Sequence, residues 1–373
     1  YLDSRSAFLY YSSKLREHVL GKKTSSRKQE HVQLTVTRDV GFRNKTSGFE
    51  RWEFLHNALP ELNYRDVDPS AMFLGKPMSL PLIISSMTGG YADAARINRQ
   101  LAEVCSEKKI GMGVGSQRQA LESKEFHRSY AIVREQAPGI PIIGNIGAAE
   151  VARLNDVSPI LKLIDMIRAD AFAVHLNPLQ ELLQPEGSPE FTGVLRGIEM
   201  LVKNAPVPVI VKEIGAGISA NVARRLLAVG VSIIDVAGAG GTSWAGVEIL
   251  RRNGTTTKRV KEESATLTAH FWDWGIPTVD ALRQVCSLKN QHPSLRVIAS
   301  GGIRHGLDIA KSIAFGADVA GMARPLLKAL EAGGKEGLKR RLEAIETELK
   351  SAMFLTGSKT LQDLQGQQLM LSQ

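Results

Sequence analysis

The sequence predicts an α/β fold, a TIM (β/α)8 barrel with an N-terminal cover segment and a C-terminal helix, and three observations carry that expectation. From Leu80 onward a short β-rich run, a Gly or polar residue and an amphipathic helical stretch alternate eight times. Each run ends in groups suited to binding, which a barrel gathers on one face. The chain, 373 residues with 43% hydrophobic content, is long enough to bury one large core. A doubly wound open sheet would want a Gly-rich fingerprint after its first strand and an acid about 20 residues later. Met87-Thr88-Gly89-Gly90 does not supply it.

The formal net charge is +9 and the pI is near 9.5, yet aromatic residues are only 6% and the cations are scattered. That pattern favours an anionic small-molecule substrate or a basic tail over nucleic acid. Cys105 and Cys286 each lie in an amphipathic helical pattern and read as unpaired thiols of a reducing compartment. No apolar run approaches the roughly 20 residues that cross a bilayer, so no membrane partner is expected. Residues 1–26, Ser-rich and basic through Lys23, are expected to be a weakly ordered extension. A transit-peptide remnant is one reading of them, which sets a plastid against the cytoplasmic location otherwise expected.

Residues 27–79 should form a clamp and cover segment. Arg27-Lys28-Gln29-Glu30-His31 places two cations and an imidazole where they could fold over a bound anion. A strand is expected at Val32 to Thr37, then turns at Pro60, Pro69 and Gly75-Lys76-Pro77, with residues 32–79 covering the lower end of the barrel. The barrel itself spans 80–334. Its strands are expected at Leu82 to Ser85, Gly111 to Val114, Ile142 to Asn145, Phe172 to His175, Val209 to Lys212, Ile233 to Val236, Val297 to Ala299 and Val319 to Gly321. Between Ala245 and Pro277 lies a long insertion with a basic middle, Arg251 to Glu263, of the kind that serves as a lid or an oligomer contact. In the tail, 335–373, Leu338, Leu342, Ile345, Leu349 and Met353 mark one apolar helical face.

The candidate site centres on Ala171 to Glu181, where an apolar run ends abruptly in His175, Asn177, Gln180 and Glu181. Pro178 stops the strand and fixes the loop, which brings an imidazole, two amides and a carboxylate together. Gly301, Gly302 and Arg304 after the seventh strand, with Ala323 after the eighth, form the phosphate cradle usual in this fold. Lys212 ends a strand inside the barrel, where an unpaired ammonium is costly, so it must meet an anion. A Schiff-base lysine is one explanation, and a cation beside the N1–C2=O edge of a flavin is the other. Thr88, Ser116, Asn145 and Thr242 suit the polar edges of such a ring, and Met87-Thr88-Gly89-Gly90 lets the backbone approach closely.

These motifs resemble the type 2 isopentenyl-diphosphate isomerases, FMN-dependent TIM-barrel enzymes. The likeness rests on Arg27 to His31, Ser86 to Gly90, Gly113 to Arg118, His175 to Glu181, Val211 to Glu213, Ala239 to Ser243 and Ser300 to Arg304, in order. The resemblance implies that Thr88, Ser116, Asn145, Lys212, Thr242, Gly302 and Arg304 hold FMN, and the strand ends add Met87, Gly89, Gly301 and Ala323. It places Arg27, Lys28, His31, Arg118, His175, Asn177 and Gln180 around the substrate and Mg²⁺ on Glu181. The implied reaction converts isopentenyl to dimethylallyl diphosphate in isoprenoid biosynthesis, with reduced FMN as acid and base, NADPH as reductant, and Gln180, His175 and Lys212 as catalytic residues. A homo-oligomer, tetramer or octamer, is expected. The alternative is an FMN-dependent oxidoreductase of the hydroxy-acid oxidase or dihydroorotate dehydrogenase type.

Overall fold

The computed structural model describes residues 24–253 and 270–372. Eight parallel strands close into a barrel: β1 (Leu82–Ile84), β2 (Gly111–Gly113), β3 (Ile142–Gly147), β4 (Ala171–His175), β5 (Val209–Lys212), β6 (Ile233–Asp235), β7 (Arg296–Ser300) and β8 (Val319–Met322). Each expected strand is present to within two residues at either end. Alternation along the strands divides the apolar residues between two cores. Ile83, Ile143, Ile210 and Ile298, one from each odd-numbered strand, cluster inside the barrel with Ala173, Ile233 and Val319. Leu82, Ile84, Met112, Phe172 and Val174 point outward and pack under the helices.

The lower end is closed by a hairpin, Ala71–Phe73 against Lys76–Met78, whose Phe73 and Met78 join the inner cluster. Leu74 and Gly75 both have positive φ (51° and 72°), as a tight two-residue hairpin turn requires. Lys76 reaches from the hairpin to Asp170, 2.8 Å away. Arg134, 5% exposed, donates to the same carboxylate at 2.6 Å and also to the carbonyls of Arg168, Pro138 and Ile140. Asp170 accepts in addition from the Ile142 backbone, so one half-buried carboxylate joins the hairpin, a helix and β3.

Two expectations for the N-terminal segment are corrected. Residues 24–37 are helical, so Val32 to Thr37 is not a strand. The alternation of Val32, Leu34 and Val36 looked like period two, but Val32 and Val36 are also four apart, and both pack on the outer core from one helical face. Residues 32–79 do not all lie at the lower end either. The backbone of 40–43 pairs with the loop after β6 on the opposite face, Phe42 N to Gly241 O at 3.2 Å and Ser243 N to Val40 O at 2.8 Å. Of the extension expected to be weakly ordered, residues 24–26 belong to the helix, and 1–23 lie outside the described residues. The insertion opens with a helix, Trp244–Asn253, and most of Arg251 to Glu263 lies outside the described residues.

After β8 the chain runs helically from Arg324 to Leu355 with a break at Gly333 and Gly334, and the five predicted apolar residues are all buried. A last strand, Leu369–Leu371, pairs antiparallel with Trp52–Phe54. Among the described residues no helix is long and apolar enough to cross a membrane.

Burial works to raise the Asp170 pKa, but hydrogen bonds from Lys76, Arg134 and the Ile142 N–H outweigh it and hold it below the usual carboxylate value. Arg134→Met leaves Asp170 its bonds from Lys76 and the Ile142 N–H but removes the donor to the carbonyls of Pro138, Ile140 and Arg168, and should lower unfolding free energy by on the order of 2 kcal/mol. Because the folded pKa is depressed, the stability Asp170 contributes is present above the unfolded value and is lost as pH falls through the folded one. Urea titrations of wild type and Asp170→Asn should therefore converge as pH drops below about 4.

Candidate functional site

Adjacent strands present their last residues side by side at the upper rim: Gly147 opposite His175, His175 opposite Lys212, and Lys212 opposite Asp235. His175 Nδ1 lies 2.7 Å from Asn145 Oδ1 on β3, so this nitrogen carries the proton in the neutral ring and Nε2 is left as the acceptor. Burial, then the charges of Lys212, Lys28 and Arg27, push the His175 pKa down to about 3. Lys212 Nζ donates to Glu213 O at 2.6 Å and lies 3.5 Å from Asp235, which also accepts from Ser300 Oγ. Asp235 was not singled out from sequence. An acid ending an apolar strand run was the available signal.

Two cavities open above this rim. The larger, about 420 Å³, is lined by Met87, Lys212, Thr242, Gly301, Gly302, Arg304 and Ala323 among others. The cradle is built from backbone: Gly240, Gly301 and Gly302 have φ of 112°, 95° and 72°, and a Cβ on Gly302 would sit 2.8 Å from the Gly240 carbonyl carbon. Ala323 leads into the Arg324–Leu355 helix with no side-chain cap, which leaves that N-terminus turned to the cavity for an anion. The N–H groups of Arg304 and His305 are committed to Asp308 instead. A flat ring with a phosphate tail fits this arrangement, and so does FMN.

The smaller cavity, about 120 Å³, is lined by Arg27, Lys28, His31, Ser116, Arg118, Asn145, His175, Asn177, Gln180 and Glu181. The structure thus gathers every substrate residue expected from sequence. It shares Ser86, Met87, Lys212, Ile214 and Trp244 with the larger cavity, so the two form one site. Burial and the nearby Arg118 charge lower the Arg27 pKa, which is the electrostatic state of a pocket waiting for an anion. Glu181, buried, accepts from Asn177 Nδ2, Gln184 Nε2 and Ser188 N. Asn177 Oδ1 is buried with no hydrogen-bond partner beside it. A carboxylate next to an unused amide oxygen is the donor set a hard cation such as Mg²⁺ takes.

Several placements differ from expectation. Thr88 and Gly89 line neither cavity: the Thr88 hydroxyl is turned onto Asn98, and Gly89 packs on the Tyr130 ring. Ser116 and Asn145, expected on the flavin, line the smaller cavity. Lys28 faces that cavity, but its ammonium donates to Gly89 O, Tyr130 Oη and Ser116 O, which uses all three protons to pin the 24–37 helix to the barrel.

Sequence reasoning missed Glu248. It is 0% exposed, accepts from Gln180 Nε2 at 3.0 Å and Arg251 Nη1 at 2.7 Å, and lies 2.8 Å from His31 Nε2. Burial opposes its ionisation, but His31, Arg251 and Gln180 prevail and take its pKa down to about 2. A Glu among Val247, Ile249 and Leu250 was the signal. Glu150 was missed as well. It pairs with Arg118 at 3.0 Å, and burial raises its pKa.

Comparison with known proteins bears on this geometry. A family model described as FMN-dependent dehydrogenase matches residues 21–126 and 177–371. The chain is 47% identical over 347 residues to an isopentenyl-diphosphate delta-isomerase of Pelodictyon phaeoclathratiforme, covering 92% of this chain and 96% of that protein. It is 44% identical to the enzyme of the same name from Nostoc, covering 91% and 94%. Among solved structures, a Pediococcus acidilactici lactate oxidase, described as putative, superposes with a TM-score of 0.65 at 16% identity, covering 96% and 94%. A flavocytochrome b2 variant with bound sulfite does so with a TM-score of 0.65 at 18%, covering 96% and 86%. At these identities the oxidases establish the fold alone.

Burial, then the Arg27 charge, pull the Lys28 pKa from 10.5 to about 7. Between those values the unfolded chain holds a proton that the folded chain has released, so stability should rise as pH climbs through that window. Lys28→Met should flatten this slope in urea titrations from pH 7 to 10.5.

Proposed function

The chain belongs to the FMN-dependent dehydrogenase family and, within it, to the isopentenyl-diphosphate delta-isomerases. From that membership we propose that it interconverts isopentenyl and dimethylallyl diphosphate with reduced FMN, Mg²⁺ and, as reductant, NADPH. The observation that carries the reading is the joining of a cavity of flavin size to a cationic cavity over Lys212, Ile214 and Trp244. A redox ring and an anionic substrate would meet there. The hydroxy-acid oxidoreductase alternative shares the fold but has no comparable support from close relatives.

Bound FMN in its reduced form supplies a group that can give or take a proton beside an alkene. The chain's own residues do the rest. Lys212 places a positive charge at the junction of the cavities, where it stabilises negative charge on the ring. Arg27 and Arg118 would hold the diphosphate, and Asn177 and Glu181 would provide oxygen ligands for a cation that accompanies it. A diphosphate brings counter-charge to His175, whose pKa rises so that Nε2 becomes a donor to phosphate oxygen. Gln180 is fixed at both ends of its amide, giving Nε2–H to Glu248 and accepting from Asn177 at 3.2 Å. It therefore orients the reacting carbons without being free to turn.

The proposal extends to a homo-oligomer, tetramer or octamer, in the cytoplasm. Exposed Leu182 and Trp274 are apolar surface such an assembly would cover.

Purified protein given FMN, Mg²⁺ and isopentenyl diphosphate should form dimethylallyl diphosphate with many turnovers per NADPH consumed. One NADPH oxidised per product would establish an oxidoreductase in its place. Glu181→Gln should raise the Mg²⁺ concentration for half-maximal rate about tenfold or more, with excess metal restoring part of kcat. An unchanged metal dependence would remove Glu181 from the metal site.

A further inference from the structure

We infer that Trp244 limits the size of the alkenyl group the site accepts, as the wall between the substrate cavity and an apolar side cavity. The inference rests on the proposed function and adds a specificity residue to it. Among the described residues, the apolar side chains lining the smaller cavity are Val32, Met87, Ile214 and Trp244, and the rest of its lining is polar, charged or glycine. A hydrocarbon group in that cavity has to lie against them. Three of the four, Met87, Ile214 and Trp244, also line the flavin cavity, which fixes the hydrocarbon at the junction, next to Gln180.

Behind Trp244 and Gln180 lies a side cavity of about 20 Å³, walled by Phe42, Leu179, Ala245 and Trp274. Trp244, Gln180 and Ile214 line both it and the substrate cavity, so the indole is the bulkiest part of the partition. The backbone that carries the indole is anchored, and one ring contact meets the indole itself. Its neighbour Ser243 donates from Oγ to Trp272 O and from its backbone to Val40 O, and the His31 ring meets the indole edge-on at 5.3 Å. A rigid wall of this kind excludes an added carbon far more sharply than a flexible side chain would.

Removing the indole joins the two spaces. An added methylene in an apolar pocket changes discrimination by about 10- to 200-fold. The test uses flavin-loaded protein and two substrates: isopentenyl diphosphate and its homologue with propyl in place of the methyl on the alkene carbon. Trp244→Ala should shift the kcat/KM ratio toward the homologue by about tenfold or more, and Trp244→Phe by less. Calorimetric affinities for saturated n-pentyl and n-octyl diphosphates should shift the same way, independently of turnover. Trp274→Ala, which opens the side cavity outward but leaves the partition, should leave the ratio unchanged. An unchanged ratio in both Trp244 variants with intact flavin spectra, or an equal shift in Trp274→Ala, overturns the inference. Wild type that binds these diphosphates but isomerises neither substrate would overturn the proposed function, and the alkyl diphosphate series would still decide the role of Trp244.

Discussion

The upper face depends on one buried carboxylate, that of Glu248. A charge with no exposure is tolerated only when its oxygens are fully engaged, and here His31, Gln180 and Arg251 surround it. Those partners come from three places in the chain: the N-terminal helix, the short helix Pro178–Leu183 that stands after β4 where a loop was expected, and the insertion helix. Arg251 extends the network to Glu30 and Glu186. The N-terminal helix, the Gln180 amide and the start of the insertion thus share one electrostatic node, and none can shift without uncovering a charge.

The barrel was legible because its signal is physical at the level of single residues. A strand buried on both faces reads as a short apolar run, and Ile142, Ile143, Val209, Ile210 and Val211 could hardly be anything else. The His175 to Glu181 cluster was legible for the converse reason: polar groups following such a run have to be used. Val32 to Thr37 misled because residues at i, i+2 and i+4 satisfy both periodicities over so short a span, and the docking that chose helix comes from Lys28, His31 and Arg324, far apart in sequence. Glu248, Asp235 and Glu150 were invisible to a search for motifs. Each gains its role from a partner on another strand or helix, and no local spacing encodes that.

Charge on this face is arranged by burial as much as by number. Arg27, Lys28 and His175 all have their protonated forms disfavoured by desolvation and then by a neighbouring cation: Arg118 for Arg27, Arg27 for Lys28 and Lys212 for His175. Glu150 is pushed the opposite way by burial, although Arg118 lies beside it. The pocket is therefore underneutralised on the anion's side, and a diphosphate entering it would relax three unfavourable ionisations together.

The order in which the chain leaves the ribosome gives the tether at Arg324 a further meaning. Its guanidinium holds Thr35 O and Arg38 O, across sequence separations of 289 and 286 residues. The N-terminal helix is among the first described segments to be synthesised. Its Lys28 anchors at Gly89, Ser116 and Tyr130 follow early, but its anchors in the insertion helix and at the start of the last long helix come much later. Until Glu248, Arg251 and Arg324 emerge, the helix is held through Lys28, and His31 and Glu30 on it lack these partners. Translation rate over the second half of the barrel then sets how long a nascent chain carries that half-anchored helix, a cost in vectorial synthesis that a helix encoded after β8 would avoid.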